Sequence, residues 1–427
     1  MSKENTLHIG TKIREVRKAK GFSQAELAQN ILVDQSLLSK IETGTIDCPN
    51  ELLRAIKKAL DVEGLPMLEP ERLNFKDKLH QWYDVISERD FVKAREMQKK
   101  LSVITFLHTD RELNIFYDLF HCRLLLGEND LEPAKEILDA FEINLNELND
   151  IQLYHYYCNQ GTWNIRSGLN SEALDFYLQA YELMKCGLEK CVTLYYNIAI
   201  CYFRLGRVAQ STTYLEKARE LGSGEQKNIP EFAIDNALAR NYTQTSYLQG
   251  AKMLLDKCYT KALRDNNHEN IGRVLLNYGF MYHVAKDWNN AIEHLDSALS
   301  YLEKGSLNYL EMLYQKIRCF IETECYSSCT RLLAEGKMLS KENELYSILF
   351  KSLAHLTTPN NDKSINYLET KTIPYLLDKK FNYTALDYCD VLRKYYKKKG
   401  IGFQTKAYKM AEIICNIREE ILDGGVI

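Results

Sequence analysis

Asn159 with Arg166, and Asn197 with Arg204, stand seven residues apart, a spacing that puts an amide and a guanidinium on one face of a helix. An amide side chain both donates and accepts, so it can pair with the backbone of an extended peptide. A guanidinium can grip a carboxylate through two parallel bonds. Arg240, Arg273 and Asn277 follow farther along, with Asn236 and Asn241 as weaker candidates. The same amides could instead tie neighbouring helices together, and the sequence leaves both uses open. No paired carboxylates, nucleophile–His motif or phosphate-cradling glycine loop points to catalysis. The twelve cysteines include no Cys-x-x-Cys pair, so neither a metal nor a cofactor is expected.

These residues recur because the chain around them recurs. One slot is occupied in turn by Ala94, Ala134, Ala173, Ser211, Ala251, Ala291 and Cys329, at intervals of 40, 39, 38, 40, 40 and 38. Twelve residues before it stand Trp82, Cys122, Gly161, Ala199, Ala239, Gly279 and Ile317; seven after it, small residues again predominate. Small residues at these spacings let two helices approach closely, and the aromatics Tyr202, Tyr242, Tyr282 and Phe320 fill the space between stacked pairs. Asn159, Asn197 and Asn277 each precede the small residue of a first helix by two positions, so stacked repeats should align them. Two further repeats are expected within 346–382 and 383–423, about nine in all.

The first sixty residues are built differently. Ile9, Ile13 and Val16 mark a first helix ended by Gly21, and Ser23 with Glu26 forms a capping box for a second, Gln24 to about Asn30. Asp34 is placed to cap a third helix with Leu38 and Ile41 on its core face, closed by Gly44. A fourth runs from about Asn50 to Leu60. Residues 61–74 hold Gly64, Pro66 and Pro70 and read as a stiff linker. The expected domains are therefore 1–62, a linker over 63–74, and an α-solenoid over 75–427, the whole all-α.

The stretch SQAELAQNILVDQSLLSKIETG at 23–44 resembles the Cro/phage-repressor (XRE) helix-turn-helix family. That resemblance makes the third helix a recognition helix in the DNA major groove, with Gln35, Ser36, Ser39 and Lys40 toward base edges. It gives Gln24 a phosphate contact and makes Arg17 and Glu42 an internal ion pair. Leu32 stands where the family usually has Gly, which implies a different turn, and Leu37 replaces a short polar residue, for a thymine methyl or for packing. The segment NYGFMYHVAKDWNNAIEHLDSAL at 277–299 resembles a tetratricopeptide (TPR) repeat, with a period longer than usual.

An XRE head joined to about nine TPR-like repeats resembles the RRNPP family of peptide-pheromone sensors, and in length and repeat number its NprR branch. The resemblance implies a cytoplasmic quorum-sensing regulator that binds operator DNA as a homodimer or larger assembly. A short imported peptide in a concave groove of the repeats would switch it. Two alternatives go with it. One is Rap-like binding and dephosphorylation of a response regulator, for which Gln81 or Gln98 would orient the water; the other is a repressor that needs no peptide.

Composition agrees with this division. Residues 1–60 carry a net charge of +3 and the remainder −6, which fits a small DNA-contacting module on a body that avoids DNA. No apolar run approaches the ~20 residues a membrane helix needs, and no membrane partner is expected.

Overall fold

The structure, a computed structural model, describes residues 9–46, 48–60, 69–107, 110–186, 191–222, 230–357, 362–400, 402 and 404–423. Among these residues every regular element is helical. The chain forms two compact units, 1–159 and 160–427.

The head comprises α1 (Ile9–Ala19), α2 (Gln24–Asn30), α3 (Gln35–Glu42) and α4 (Asn50–Leu60). Its core gathers one apolar face from each helix: Ile13 and Val16, Leu27 and Ala28, Leu38 and Ile41, Leu53, Ile56 and Leu60. Ser23 caps α2 as expected, its hydroxyl accepting from the Glu26 amide while the Glu26 carboxylate accepts from the Ser23 amide. Asp34 does not do the same. It occupies the N-cap position of α3, but its side chain makes no capping bond.

Nine helical pairs follow among the described residues. They are α5 (Glu69–Ser87) with α6 (Phe91–Leu107), α7 (Arg111–Glu128) with α8 (Leu131–Glu142), and α9 (Asp150–Arg166) with α10 (Asn170–Lys185). Next come α11 (Val192–Arg204) with α12 (Val208–Gly222), α13 (Glu231–Gln244) with α14 (Leu248–Arg264), and α15 (His268–Val284) with α16 (Trp288–Leu299). The last are α17 (Leu307–Glu322) with α18 (Tyr326–Leu339), α19 (Glu344–Leu356) with α20 (Asp362–Tyr367) and α21 (Ile373–Asp378), and α22 (Asn382–Lys399) with α23 (Gln404–Asp423). A π-helical turn, Leu368–Thr372, joins α20 to α21. Helix α5 begins inside the stretch read as linker: Pro70 is tolerated in a first helical turn, where its missing N–H costs no bond. Residues 69–74 are therefore helical, and 61–68 lie outside the described residues.

Each pair is held by the slot that the sequence repeats. Ala94, Ala134, Ala173, Ser211, Ala251, Ala291 and Cys329 are all 0% exposed. Their partners are as tightly placed: a Cβ on Gly161 would lie 2.7 Å from the Tyr177 ring, and one on Gly279 2.5 Å from Leu295. Five residues before each slot, the turn between the two helices passes through a left-handed residue: Arg89, Asn129, Gly168, Gly206, Ser246, Lys286 and Glu324. At Lys286, its own amide bonds to His283 O (3.0 Å) and that of Asp287 to Tyr282 O (2.9 Å), the two bonds of a Schellman cap. The same pair recurs at Gly206 and Glu324. Only two of the seven are glycine, so the array holds L residues in a conformation that costs each about 1 kcal/mol.

His283 is buried beside the edge-on Trp288 ring (5.1 Å), with its Nε2 unpartnered. Burial, and secondarily the charge of Arg318, push its pKa down to about 3.

Two predictions follow from the fold. Lys286→Gly, at an exposed turn, should stabilise the repeats by about 1 kcal/mol, read as a raised denaturant midpoint. An unchanged or lower midpoint would show that the turn carries no strain. The second concerns acid. Between pH 6.5 and about 3 the unfolded chain holds a proton on residue 283 that the folded chain does not, so stability falls as pH drops through 6.5. That loss is about 2 kcal/mol at pH 5. His283→Phe should flatten the acid limb of a melting-temperature profile; equal limbs would remove His283 as its cause.

Candidate functional site

In the head, a buried ion pair fixes the candidate reading helix. Arg17 on α1 donates through Nε and Nη2 to the two Glu42 oxygens at the end of α3 (2.6 and 2.9 Å), and through Nη1 to Phe22 O (2.7 Å). Both side chains are almost wholly buried, and the bond from Glu42 raises the Arg17 pKa above its ordinary value. The family's internal pair is thus present, as the sequence implied. Gln24 belongs to it too: its Nε2 donates to Glu42 Oε2 (2.7 Å). In this structure the amide expected at a phosphate bonds to the second Glu42 oxygen.

On the outer face of α3, Gln35, Ser36 and Lys40 are exposed and Ser39 is half-buried. This is the polar row the sequence singled out. Leu37 is half-buried and packs against the head's core. Leu32 keeps the turn that the family makes with glycine: its φ is +55° and its side chain is 93% exposed. The expectation of a different turn is therefore corrected, and the backbone holds the left-handed form at a steric cost. Gly10 escaped notice in the sequence. A Cβ there would fall 1.7 Å from Ile41 O, so only glycine lets α1 cross α3 this closely.

In the repeats, the asparagines divide. Asn159 is 2% exposed and donates to Leu119 O of the preceding pair (2.8 Å). Asn277 is also buried and donates to Asn236 Oδ1 (2.9 Å). Asn241 donates to the Ser211 and Thr212 hydroxyls. These four amides tie helices together, so assigning Asn159, Asn236 and Asn277 to a ligand is corrected. Each satisfies a polar group that stacking would otherwise bury unpaired. Asn197 is different: it is half-buried on α11, and its side chain bonds to no other described residue.

The arginines divide as well. Arg204 ends α11, exposed yet crowded enough that desolvation lowers its pKa from the usual arginine value. It reaches Ile165 O and Asn170 Oδ1 only at 3.3 Å. Arg273, half-buried on α15, has no partner among the described residues. Arg166 is exposed at the end of α9. Arg240 lies between the Phe203 and Phe280 rings and 3.4 Å from Glu311.

Groups the sequence did not flag line the later first helices. Arg318 on α17 pairs with Asp387 on α22 (2.8 Å), two pairs onward. Beside them a cavity of about 370 Å³ is bordered by Tyr314, Leu353, Ile365 and Tyr388. No periodic signal predicts such ties, because they join residues whose repeats are not adjacent in sequence. Of the two glutamines considered for water activation, Gln98 donates to the Tyr117 hydroxyl (3.1 Å) and Gln81 is exposed.

Comparison with known proteins bears on both parts. Residues 13–64 match the family model HTH_3, helix-turn-helix. The chain is 22% identical over 394 residues to the transcriptional activator NprA of Geobacillus stearothermophilus, spanning 89% of this chain and 97% of NprA. Among solved structures it is similar to a Rap protein complexed with competence and sporulation factor, with a TM-score of 0.72 at 15% identity over 82% of this chain and 99% of the other. It is similar also to NprR in complex with its cognate peptide NprX, with a TM-score of 0.70 at 19% identity over 81% and 99%. The architecture is accordingly a helix-turn-helix head followed by a TPR-like solenoid. Along most of its length the chain is thus similar to the activator NprA, and in fold to the NprR and Rap structures.

Proposed function

We propose that this chain is a regulator of the RRNPP type, that it reads operator DNA through α3, and that a short peptide held by its repeat array switches that contact. The observation that carries the proposal is a pairing of two unsatisfied surfaces on one chain. The polar row Gln35, Ser36 and Lys40 projects from a helix locked by the buried Arg17–Glu42 pair. In the array, Asn197, Arg204, Arg240 and Arg273 keep hydrogen-bonding capacity that the fold does not use. Gln35 suits adenine and Lys40 the guanine acceptors, with Ser36 and Ser39 beside them. Asn197 suits a peptide backbone, and the arginines suit carboxylates. Residues 1–62 form the DNA-binding domain and the helices from α5 onward the peptide-binding domain. The regulator acts as a homodimer in the cytoplasm, its two heads meeting half-sites about 34 Å apart. The structures of NprR with NprX and of a Rap protein with competence and sporulation factor support a peptide as the effector.

Two experiments test this. Gln35→Ala with Lys40→Ala should lower affinity for the operator, found by genomic footprinting, by about 10- to 100-fold while leaving non-specific binding nearly unchanged. Full retention of sequence preference would remove α3 as the reader. Asn197→Ala should abolish the footprint's response to conditioned medium while the variant still occupies its operator in one state. An undiminished response would take Asn197 out of the effector site.

A further inference from the structure

Arg240 is a cation whose fork the fold uses only in part. Its guanidinium stacks between Phe203 of α11, 5.2 Å from the ring centre, and Phe280 of α15, at 5.8 Å. Both rings lie within cation–π distance of the guanidinium. Among the described residues its one ion pair is loose, at 3.4 Å from Nη2 to Glu311 Oε1, and its Nε is buried with no acceptor.

Glu311 does not need Arg240. Its Oε2 accepts from the Tyr346 hydroxyl at 2.7 Å, and Oε1 accepts from the Gln315 amide at 2.9 Å. Each carboxylate oxygen thus already accepts from a neutral donor. A planar cation with a buried, unanswered Nε matches one ligand chemistry above others, a carboxylate accepting two parallel bonds. The surroundings agree. Arg204 lies near enough for its charge and that of Arg240 to repel, and Arg273 on the next first helix has no partner among the described residues. This positive group stands within a body that is net acidic.

We propose that the effector carries a carboxylate that docks on Arg240 in place of Glu311, so that the array selects acidic peptides. This rests on the peptide-binding role proposed above. Glu311 is then an internal competitor: it partly neutralises the empty fork, and an incoming carboxylate must displace it. Arg240 determines specificity, whereas Asn197 would hold any extended backbone.

The test uses the full-length protein and fluorescent heptapeptide pools randomised over uncharged residues. One position is fixed as Asp or as Asn, and each pool is made with a free or an amidated C-terminus. Pools carrying a carboxylate should bind about tenfold more tightly than the Asn, amidated pool, as a charge-assisted bidentate pair implies. Whichever carboxylate gives the gain identifies its source, side chain or chain end. Arg240→Gln should bring that ratio to about one. Arg240→Lys, which keeps the charge without the fork, should lose most of it and serves if the first variant does not fold. Glu311→Gln should widen the ratio severalfold, an effect that a merely structural Glu311 would not produce. Equal binding of all pools to the native protein overturns the inference, as does a ratio that neither Arg240 variant changes. If no pool binds, the neutral one included, the peptide-binding role itself fails, and the inference with it.

Discussion

Everything in the repeat array depends on how closely the two helices of a pair can approach. At the repeated slot the side chain is alanine, serine or cysteine and wholly buried, which brings the backbones near enough for one large neighbour to fill the gap. The left-handed residue five positions earlier fixes the angle at which the second helix returns. Together they leave each pair little freedom, and the same turn and slot recur from pair to pair. That regularity lets side chains from different pairs meet: Arg240 with Phe203 and Phe280, Arg318 with Asp387. Dispersion over many such contacts stabilises the array, and the polar ties set its register.

The head obeys a comparable constraint by other means. Gly10 permits α1 and α3 to touch, and the Arg17–Glu42 pair holds them there. Burying both charges is costly unless each is paired and hydrogen-bonded, and this pair is: Phe22 O and Gln24 take up the remaining capacity. The arrangement explains why Gln24 turns inward. It also explains how α3 can present a polar row without being pulled from the core, since its far face is fixed by Leu38, Ile41 and Glu42.

The fold was legible where chemistry forces a residue type. Only small side chains fit the slot, so its period shows through varied flanking sequence, and the Ser23–Glu26 box placed α2 at its true start. The left-handed turns were illegible because the conformation tolerates other residues at a small cost; Arg89, Lys286 and Glu324 carry no glycine signal. Leu32 misled for the same reason. In the candidate site, the amide positions were visible but their use was not. Asn159 and Asn277 occupy the same place in their repeats as Asn197, and only the presence of an acceptor in the neighbouring helix separates a tie from a free group. Residue type and spacing cannot report that acceptor.

Glu311 shows what such a tie means for a switch. It links the fifth and seventh pairs through Arg240 while leaning on Tyr346 of the eighth. A group that replaces it at Arg240 does more than occupy a site, because it removes a contact between first helices that are not adjacent. The array then rests on a different set of ties. Under the proposed function, thermodynamic linkage then requires that a ligand which changes DNA affinity have its own affinity changed by DNA by the same factor. A strong internal pair would resist that exchange, and an absent one would leave nothing to exchange. The 3.4 Å contact between Arg240 and Glu311 lies between these limits.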